Sequence, residues 1–271
     1  MSRNFELLSE AGRLHELVQS NIESSQVPPR AMEDSFPEAP RGLGDKFSVP
    51  QPIEDDFPAA PSLETTGAIK QEIVKLVQKL FWPAQGPRRV VFAGTEAGGG
   101  CSWMCARVAE ELASQGRGSV CVMDCNLRSP GLHQQFGTEN HHGLSDALLG
   151  PGPIREYVHR WSRNLWLVSC GASPESGRTM LGSEKMRSRI TELRMTFDYV
   201  LIDAAPLSTC NDAIVLGGLN DGVVLVLKAN SSRRETARNA LHELHTANVR
   251  VLGAVLNQRT FPIPEALYKK L

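Results

Sequence analysis

The sequence lacks a long apolar run: no stretch reaches the roughly 18 residues that a membrane-spanning helix needs. It also lacks an excess of positive or negative charge, because 29 Lys and Arg residues balance 30 Asp and Glu residues, and the basic residues do not form a block. This balance argues against nucleic acid and anionic lipid as partners. The first 20 residues show no signal-peptide core. We therefore expect a cytoplasmic protein that reaches a membrane only through a partner.

Cysteine is sparse, and most of the six cysteines lie in apolar runs, which predicts free buried thiols instead of a disulfide framework. The Cys101-x₃-Cys105 and Cys121-x₃-Cys125 spacings suggest a metal site. However, Cys105 would lie one helical turn deeper and Cys121 inside a strand, whereas a tetrahedral zinc site needs ligands from loops. Metal binding is therefore disfavoured, while a reactive thiol at Cys101 stays open.

The composition divides the chain into three parts. Residues 3–19 have helical apolar spacing, so 1–19 is predicted to be an amphipathic helix that either packs on its own domain or docks a partner. Residues 20–63 contain eight prolines among acidic side chains, which predicts a disordered linker. Residues 64–271 alternate between apolar and amphipathic segments, which predicts the folded domain.

Within that domain, short Val/Ile/Leu-rich runs alternate with helical patterns. The predicted strands are 88–94, 118–124, 165–171, 198–206, 221–229 and 249–258. The predicted helices are 67–82, 102–116, 142–150, 153–161, 182–197 and 232–247. This order predicts a three-layer α/β fold with a mostly parallel sheet, and it predicts a ligand site at the carboxyl ends of the strands.

The stretch "GTEAGGGCS", between the first strand and its helix, has the layout of a phosphate-binding loop. The glycines whose backbone would cradle phosphate are Gly94, Gly98, Gly99 and Gly100. Ser102 would supply the hydroxyl for Mg²⁺. Cys101, however, stands where such loops carry lysine, and counting back from Ser102 puts Thr95 at the first glycine of the motif.

Two later strands end in an aspartate. Asp124 is followed by Asn126 and Arg128, and Asp203 ends an apolar strand in the manner of a Walker B segment. Either aspartate alone could simply cap the next turn. Together with the loop, in this order, they favour a nucleotide site in which Ser102, Asp124 and Asp203 would hold Mg²⁺.

These motifs resemble the tyrosine kinases of bacterial capsule and exopolysaccharide systems (BY-kinases), which are related to the Min and Par partitioning ATPases. The family's I-D-x-D-x-R-x-P appears as "MDCNLRSP", its "fDyViiDtPP" as "FDYVLIDAAP", and its "vlGvvlN" as "VLGAVLN". The resemblance covers most of 64–271. It implies a P-loop NTPase fold, ATP or ADP with Mg²⁺ as cofactors, and Asn257 near the base.

The sequence departs from this family at several positions. The family needs a P-loop lysine, a second Walker aspartate, a tyrosine-rich tail and an oligomerising E-x-x-R-x-x-R helix. The residues in those places are Cys101, Asn126, the single tail tyrosine Tyr268, and Glu72, Lys75 and Gln78. Asp124 and Asp203 remain as residual catalytic carboxylates.

The losses predict a pseudokinase, a non-catalytic regulatory partner in exopolysaccharide or capsule biosynthesis or export. The predicted partner is a transmembrane polysaccharide chain-length regulator or a true BY-kinase, and a homo-oligomer stays open. One alternative is an active ATP-dependent protein-tyrosine kinase that phosphorylates Tyr268. A second is a partitioning-type ATPase, although Thr95 and Glu96 occupy the place of that class's signature lysine.

Overall fold

Seven strands form one sheet in the computed structural model, which describes residues 67–229 and 231–258. The strands are β1 (Arg89–Gly94), β2 (Val120–Asp124), β3 (His159–Ser162), β4 (Leu165–Val168), β5 (Tyr199–Ala204), β6 (Gly222–Lys228) and β7 (Val251–Asn257). Their order across the sheet is β3-β4-β2-β5-β1-β6-β7, and only the β3–β4 pair is antiparallel. The predictions for 1–19, for 20–63 and for the tail with Tyr268 lie outside the described residues.

Helices cover both faces of this sheet. They are α1 (Gly67–Phe81), α2 (Cys101–Ser114), α3 (Leu132–Phe136), α4 (Leu144–Leu149), α5 (Pro174–Arg178), α6 (Glu184–Thr196), α7 (Asp212–Gly218) and α8 (Arg234–Thr246). One apolar core lies between the sheet and α1, α2 and α3, and a second lies between the sheet and α4, α6, α7 and α8. The predicted three-layer α/β fold with a mostly parallel sheet is therefore confirmed.

The central strands are buried on both faces, which explains their sequences. Every residue of β2 and β5 is buried, so each face of these strands needs an apolar side chain. The two strands end side by side, with Asp124 opposite Asp203. This register places two carboxyl groups at the same edge of the sheet.

The helix predicted at 153–161 is wrong. One 3₁₀ turn spans Ile154–Tyr157, and the chain then forms β3 at the sheet edge. Tertiary contacts override the local pattern here: the Arg160 guanidinium lies over the Trp166 ring, and the Trp161 indole N–H donates to the carbonyl of Phe136. The short helices α3, α5 and α7 are not predicted by the sequence pattern either.

Ser183 caps α6, and its replacement tests the energetics of this helix. The Ser183 hydroxyl accepts the backbone N–H of Met186 at 3.3 Å and donates to the carbonyl of Met180 at 2.7 Å. We expect Ser183→Ala to lower the free energy of unfolding by about 1 kcal/mol. Urea denaturation followed by tryptophan fluorescence measures this change. Thr191→Ala, on the exposed side of the same helix, is the control and should have a smaller effect.

Candidate functional site

The loop between β1 and α2 bends through two glycines in the left-handed region. Gly98 has φ 75° and Gly100 has φ 77°, conformations that residues with a Cβ rarely adopt. Gly100 is the N-cap of α2, and its carbonyl accepts the first helical hydrogen bond, from Met104 N. Three of the predicted cradle glycines, Gly98, Gly99 and Gly100, therefore lie directly before a 14-residue helix, and the fourth, Gly94, ends β1.

The backbone of this loop presents unused donors. Among the described residues, no N–H from Glu96 to Trp103 donates to a backbone or side-chain acceptor, whereas Thr95 N is bonded to Val226 O in the sheet. A helix N-terminus adds about half a positive charge to such a cluster of N–H groups. The loop therefore has the donors and the dipole that anions bind.

Cys101 occupies the first turn of α2 as a half-buried free thiol. Burial raises the pKa of the Cys101 thiol well above its usual value, and the neighbouring Asp203 carboxylate raises it further. The side chain is therefore a neutral thiol, which argues against the reactive thiolate that the sequence left open. It also cannot supply the positive charge of a P-loop lysine.

Asp203, the penultimate residue of β5, carries a fully buried carboxyl group. Neither carboxylate oxygen has a hydrogen-bond partner of normal geometry in the described part of the chain. Burial, followed by the charge of Asp124, raises the pKa of Asp203 to about 8, and the adjacent Ser102 hydroxyl and Cys101 thiol offset only part of this rise. No cation among the described residues forms an ion pair with Asp203.

Asp124 has a different environment, although it lies beside Asp203. Its Oδ1 accepts Asn126 N at 3.1 Å, and its Oδ2 accepts the N–H groups of Gly131 and Leu132, each at 3.0 Å. Burial raises the pKa of Asp124 to about 6, while these three hydrogen bonds act in the opposite direction. Asp124 therefore caps the turn that leads into α3.

The residues after Asp124 complete this turn. The Asn126 side-chain oxygen accepts Ser129 N at 3.2 Å, which closes the loop. Arg128 forms an ion pair with Asp212 on α7, with 3.5 Å between Arg128 Nε and Asp212 Oδ2. A Cβ on Gly131 would lie 3.1 Å from the Ser102 hydroxyl oxygen, so the loop packs against the first turn of α2. The structure thus brings Ser102, Asp124 and Asp203 together.

The end of β7 also reaches the loop. The Asn257 side-chain amide donates to Gly99 O at 3.0 Å, and the Gln258 amide donates to Gly98 O at 3.4 Å. The resemblance placed Asn257 near a nucleotide base, whereas here it contacts the loop itself. The resemblance also placed the residues after Asn257 near the base, but no pattern in the chain links Gln258 to a loop more than 150 residues away.

Two further loop residues were not predicted as part of the site. The Thr95 hydroxyl is buried and has no hydrogen-bond partner within the described part of the chain. Glu96 adds a half-buried carboxylate that accepts the Ser232 hydroxyl at 3.4 Å. Glu96 therefore adds negative charge to a loop that has no lysine. Its position inside the glycine-rich motif was the available signal.

Magnesium would find two protein oxygens at this site. The unpartnered carboxylate of Asp203 and the hydroxyl of Ser102 suit a hard cation that takes its other ligands from water and phosphate. Within 67–229 and 231–258, no three His, Cys, Asp or Glu side chains cluster as a metal site. The same residues contain no helix that is long and apolar enough to cross a membrane.

Comparison with known proteins identifies the family. No protein-family model matches the sequence. The tyrosine-protein kinase YwqD of Bacillus subtilis is 30% identical over 171 residues, which cover 63% of this chain and 72% of YwqD. The chain belongs to the bacterial tyrosine-protein kinase family. This BY-kinase relative also shares 27% identity with the tyrosine-protein kinase wzc of Salmonella typhi and 31% with the succinoglycan biosynthesis transport protein ExoP of Rhizobium meliloti.

The matches to wzc and ExoP are partial. They cover 62% and 59% of this BY-kinase relative, but only 23% of wzc and 21% of ExoP. The activities of those whole proteins therefore do not follow from the match.

Solved structures agree on the fold. The chimerical protein CapA2B2 superposes with a TM-score of 0.67 at 21% identity and covers 72% of this chain and 87% of its own. The kinase domain of the Escherichia coli tyrosine kinase ETK superposes with a TM-score of 0.63 at 19% identity. The match covers 72% of this chain and 78% of the ETK chain. A ParA family ATPase from Chlorobium tepidum superposes with a TM-score of 0.55 at 17% identity. The match covers 64% of this chain and 75% of the ATPase chain. The predicted P-loop NTPase fold is confirmed by these likenesses.

Proposed function

We propose that this chain is a non-catalytic BY-kinase relative, a pseudokinase that acts as a regulatory partner in exopolysaccharide or capsule biosynthesis or export. The observation that carries the proposal is the placement of the neutral Cys101 thiol beside the unpaired, buried carboxyl of Asp203. A P-loop lysine in that place would neutralise Asp203 and bind phosphate. Here no cation among the described residues pairs with Asp203, and the thiol of Cys101 brings no positive charge to a phosphate.

The loss of the lysine charge at position 101 lowers the rate of phosphoryl transfer more than it lowers the affinity for nucleotide. Removing one preorganised electrostatic stabiliser typically lowers a rate by about 10²–10³-fold. Asn126, which replaces the second Walker aspartate, can neither hold Mg²⁺ by charge nor take a proton from a tyrosine. Asp124 already accepts three backbone N–H groups. The two losses together support a site without phosphoryl transfer.

The unused N–H groups support residual nucleotide binding. We propose that the loop from Gly94 to Ser102 binds the phosphates of ATP or ADP weakly, through its backbone. Ser102 and Asp203 would hold Mg²⁺, which would supply charge stabilisation to the phosphates when bound. Glu96 reduces the affinity, because its half-buried carboxylate adds negative charge near the anion.

The proposed partner is a transmembrane polysaccharide chain-length regulator or a true BY-kinase, reached from the cytoplasmic side. The name of ExoP, a succinoglycan biosynthesis transport protein, supports this pathway. Glu72 and Lys75 form an exposed ion pair within α1, 2.7 Å apart, at two positions of the family's oligomerising motif. We propose that the kinase-type ring does not form through α1, because its arginines are missing.

Incubation of the purified full chain with Mg-ATP tests the proposal. We expect no ATP hydrolysis above the buffer rate and no phosphotyrosine at Tyr157, Tyr199 or Tyr268 by mass spectrometry. YwqD under the same conditions is the positive control. ATP turnover that disappears in Ser102→Ala would contradict the proposal, and phosphate on Tyr268 would favour the active-kinase alternative.

A further inference from the structure

The end of β7 is fixed beside the phosphate-binding loop. Lys228 and Asn257 are partners in the β6–β7 pairing, and the Asn257 carbonyl accepts Ala229 N at 2.8 Å. Gln258 then adopts a left-handed backbone with φ 56°. Both amide side chains of this pair, which we call the latch (Asn257 and Gln258), contact the loop.

The latch donates to successive loop carbonyls. Asn257 Nδ2 lies 3.0 Å from Gly99 O and 3.5 Å from Gly100 O, and Gln258 Nε2 lies 3.4 Å from Gly98 O. The bond to Gly99 O has the distance of a normal hydrogen bond, and the other two are longer. A Cβ on Gly100 would lie 2.5 Å from Asn257 Nδ2, so the close approach of the latch requires glycine there.

The planarity of the peptide group links the hydrogen bonds from the latch to the direction of the loop N–H groups. In a planar trans peptide, the carbonyl of one residue and the N–H of the next point in opposite directions. Donors that hold the carbonyls of Gly98 and Gly99 toward β7 therefore turn the N–H groups of Gly99 and Gly100 away from β7. Those N–H groups belong to the unpartnered set that the loop offers to an anion.

We propose that Asn257, assisted by Gln258, is a positioning residue that holds the loop N–H groups in their anion-binding orientation. The inference rests on the proposed function, in which this loop binds phosphate through its backbone. It assigns Asn257 a role different from the base contact that the family resemblance implied. The latch compensates for the missing lysine by fixing the remaining donors.

Asn257→Asp in the full chain tests the latch, because the new side chain has the same shape but cannot donate when ionised. Backbone ¹⁵N order parameters at Gly98, Gly99 and Gly100 should fall from about 0.85 to below about 0.6. Affinity for inorganic pyrophosphate, measured by calorimetry, should fall about tenfold with the loss of one hydrogen bond. Below about pH 4 the introduced carboxyl can donate again, so the order parameters should recover there.

Asn220→Asp is the matched control, because Asn220 Nδ2 also donates to a backbone carbonyl, that of Leu216, at 2.7 Å. It should leave the loop order parameters unchanged. Unchanged order parameters in Asn257→Asp would overturn the latch. If the wild-type chain binds no pyrophosphate but its loop still loosens in Asn257→Asp, the latch stands and the proposed phosphate binding fails.

Discussion

Replacing Cys101 by lysine is expected to raise the affinity for Mg-ATP by about 10- to 100-fold. A charge-assisted hydrogen bond contributes roughly 1.5–3 kcal/mol, and each 1.4 kcal/mol is about tenfold in affinity. The glycine loop, its N–H groups and Ser102 are in place, so the variant adds only the missing cation. The ammonium group would also favour the ionised form of Asp203, whose buried carboxyl has no hydrogen-bond partner among the described residues. Calorimetry with ATP and with ADP measures the gain.

Cys101→Met is the control for this gain, since methionine adds length without charge. It should bind Mg-ATP no better than the wild-type chain. The Cys101→Lys variant should still not phosphorylate tyrosine, because Asn126 remains; adding Asn126→Asp tests whether transfer returns. Equal ATP affinity in the wild-type, lysine and methionine variants would show that the absent charge does not limit binding.

The layered fold could be predicted from sequence because the informative signals are local. Val120–Asp124 and Tyr199–Ala204 are short apolar runs typical of strands that are covered on both faces, and both appear as strands. The edge strand at His159–Ser162 could not be predicted in this way. Its stability depends on pairing with β4, on the contact of Arg160 with Trp166 of that strand, and on the hydrogen bond from Trp161 to Phe136, 25 residues earlier in the chain.

The site shows the same division between local and tertiary information. The sequence identifies the glycine loop, Cys101 and Asp203, because each belongs to a motif with fixed spacing. It does not reveal that three backbone N–H groups surround Asp124, since that depends on how the chain turns from Asn126 to Leu132. The contact of Asn257 with Gly99 likewise depends on the strand order β1-β6-β7.

Asp203→Asn is expected to stabilise the protein at alkaline pH, by about 2–4 kcal/mol near pH 8. An aspartate in the unfolded chain ionises at about pH 3.9, whereas the folded protein keeps Asp203 protonated up to about pH 8. Between these values the folded state binds the extra proton, so its stability falls as pH rises. Asparagine has the same shape and no charge, so this fall should be smaller. Urea denaturation from pH 5 to 8.5 measures both curves.

Asp221→Asn is the control, and its effect on stability should have the opposite sign to that of Asp203→Asn. Burial opposes ionisation of Asp221, but hydrogen bonds from the Arg89 side chain and from the N–H groups of Arg88 and Arg89 outweigh it and lower its pKa. The stability that Asp221 contributes is therefore present above about pH 4 and lost below it, so Asp221→Asn should destabilise the protein at neutral pH. Parallel pH curves for wild type and Asp203→Asn would contradict the protonation of Asp203. If the curves diverge as expected, Asp203 is neutralised by a proton in this protein, where a P-loop lysine would neutralise it by charge. The proton removes the negative charge from the pocket but cannot stabilise phosphoryl transfer as a lysine would.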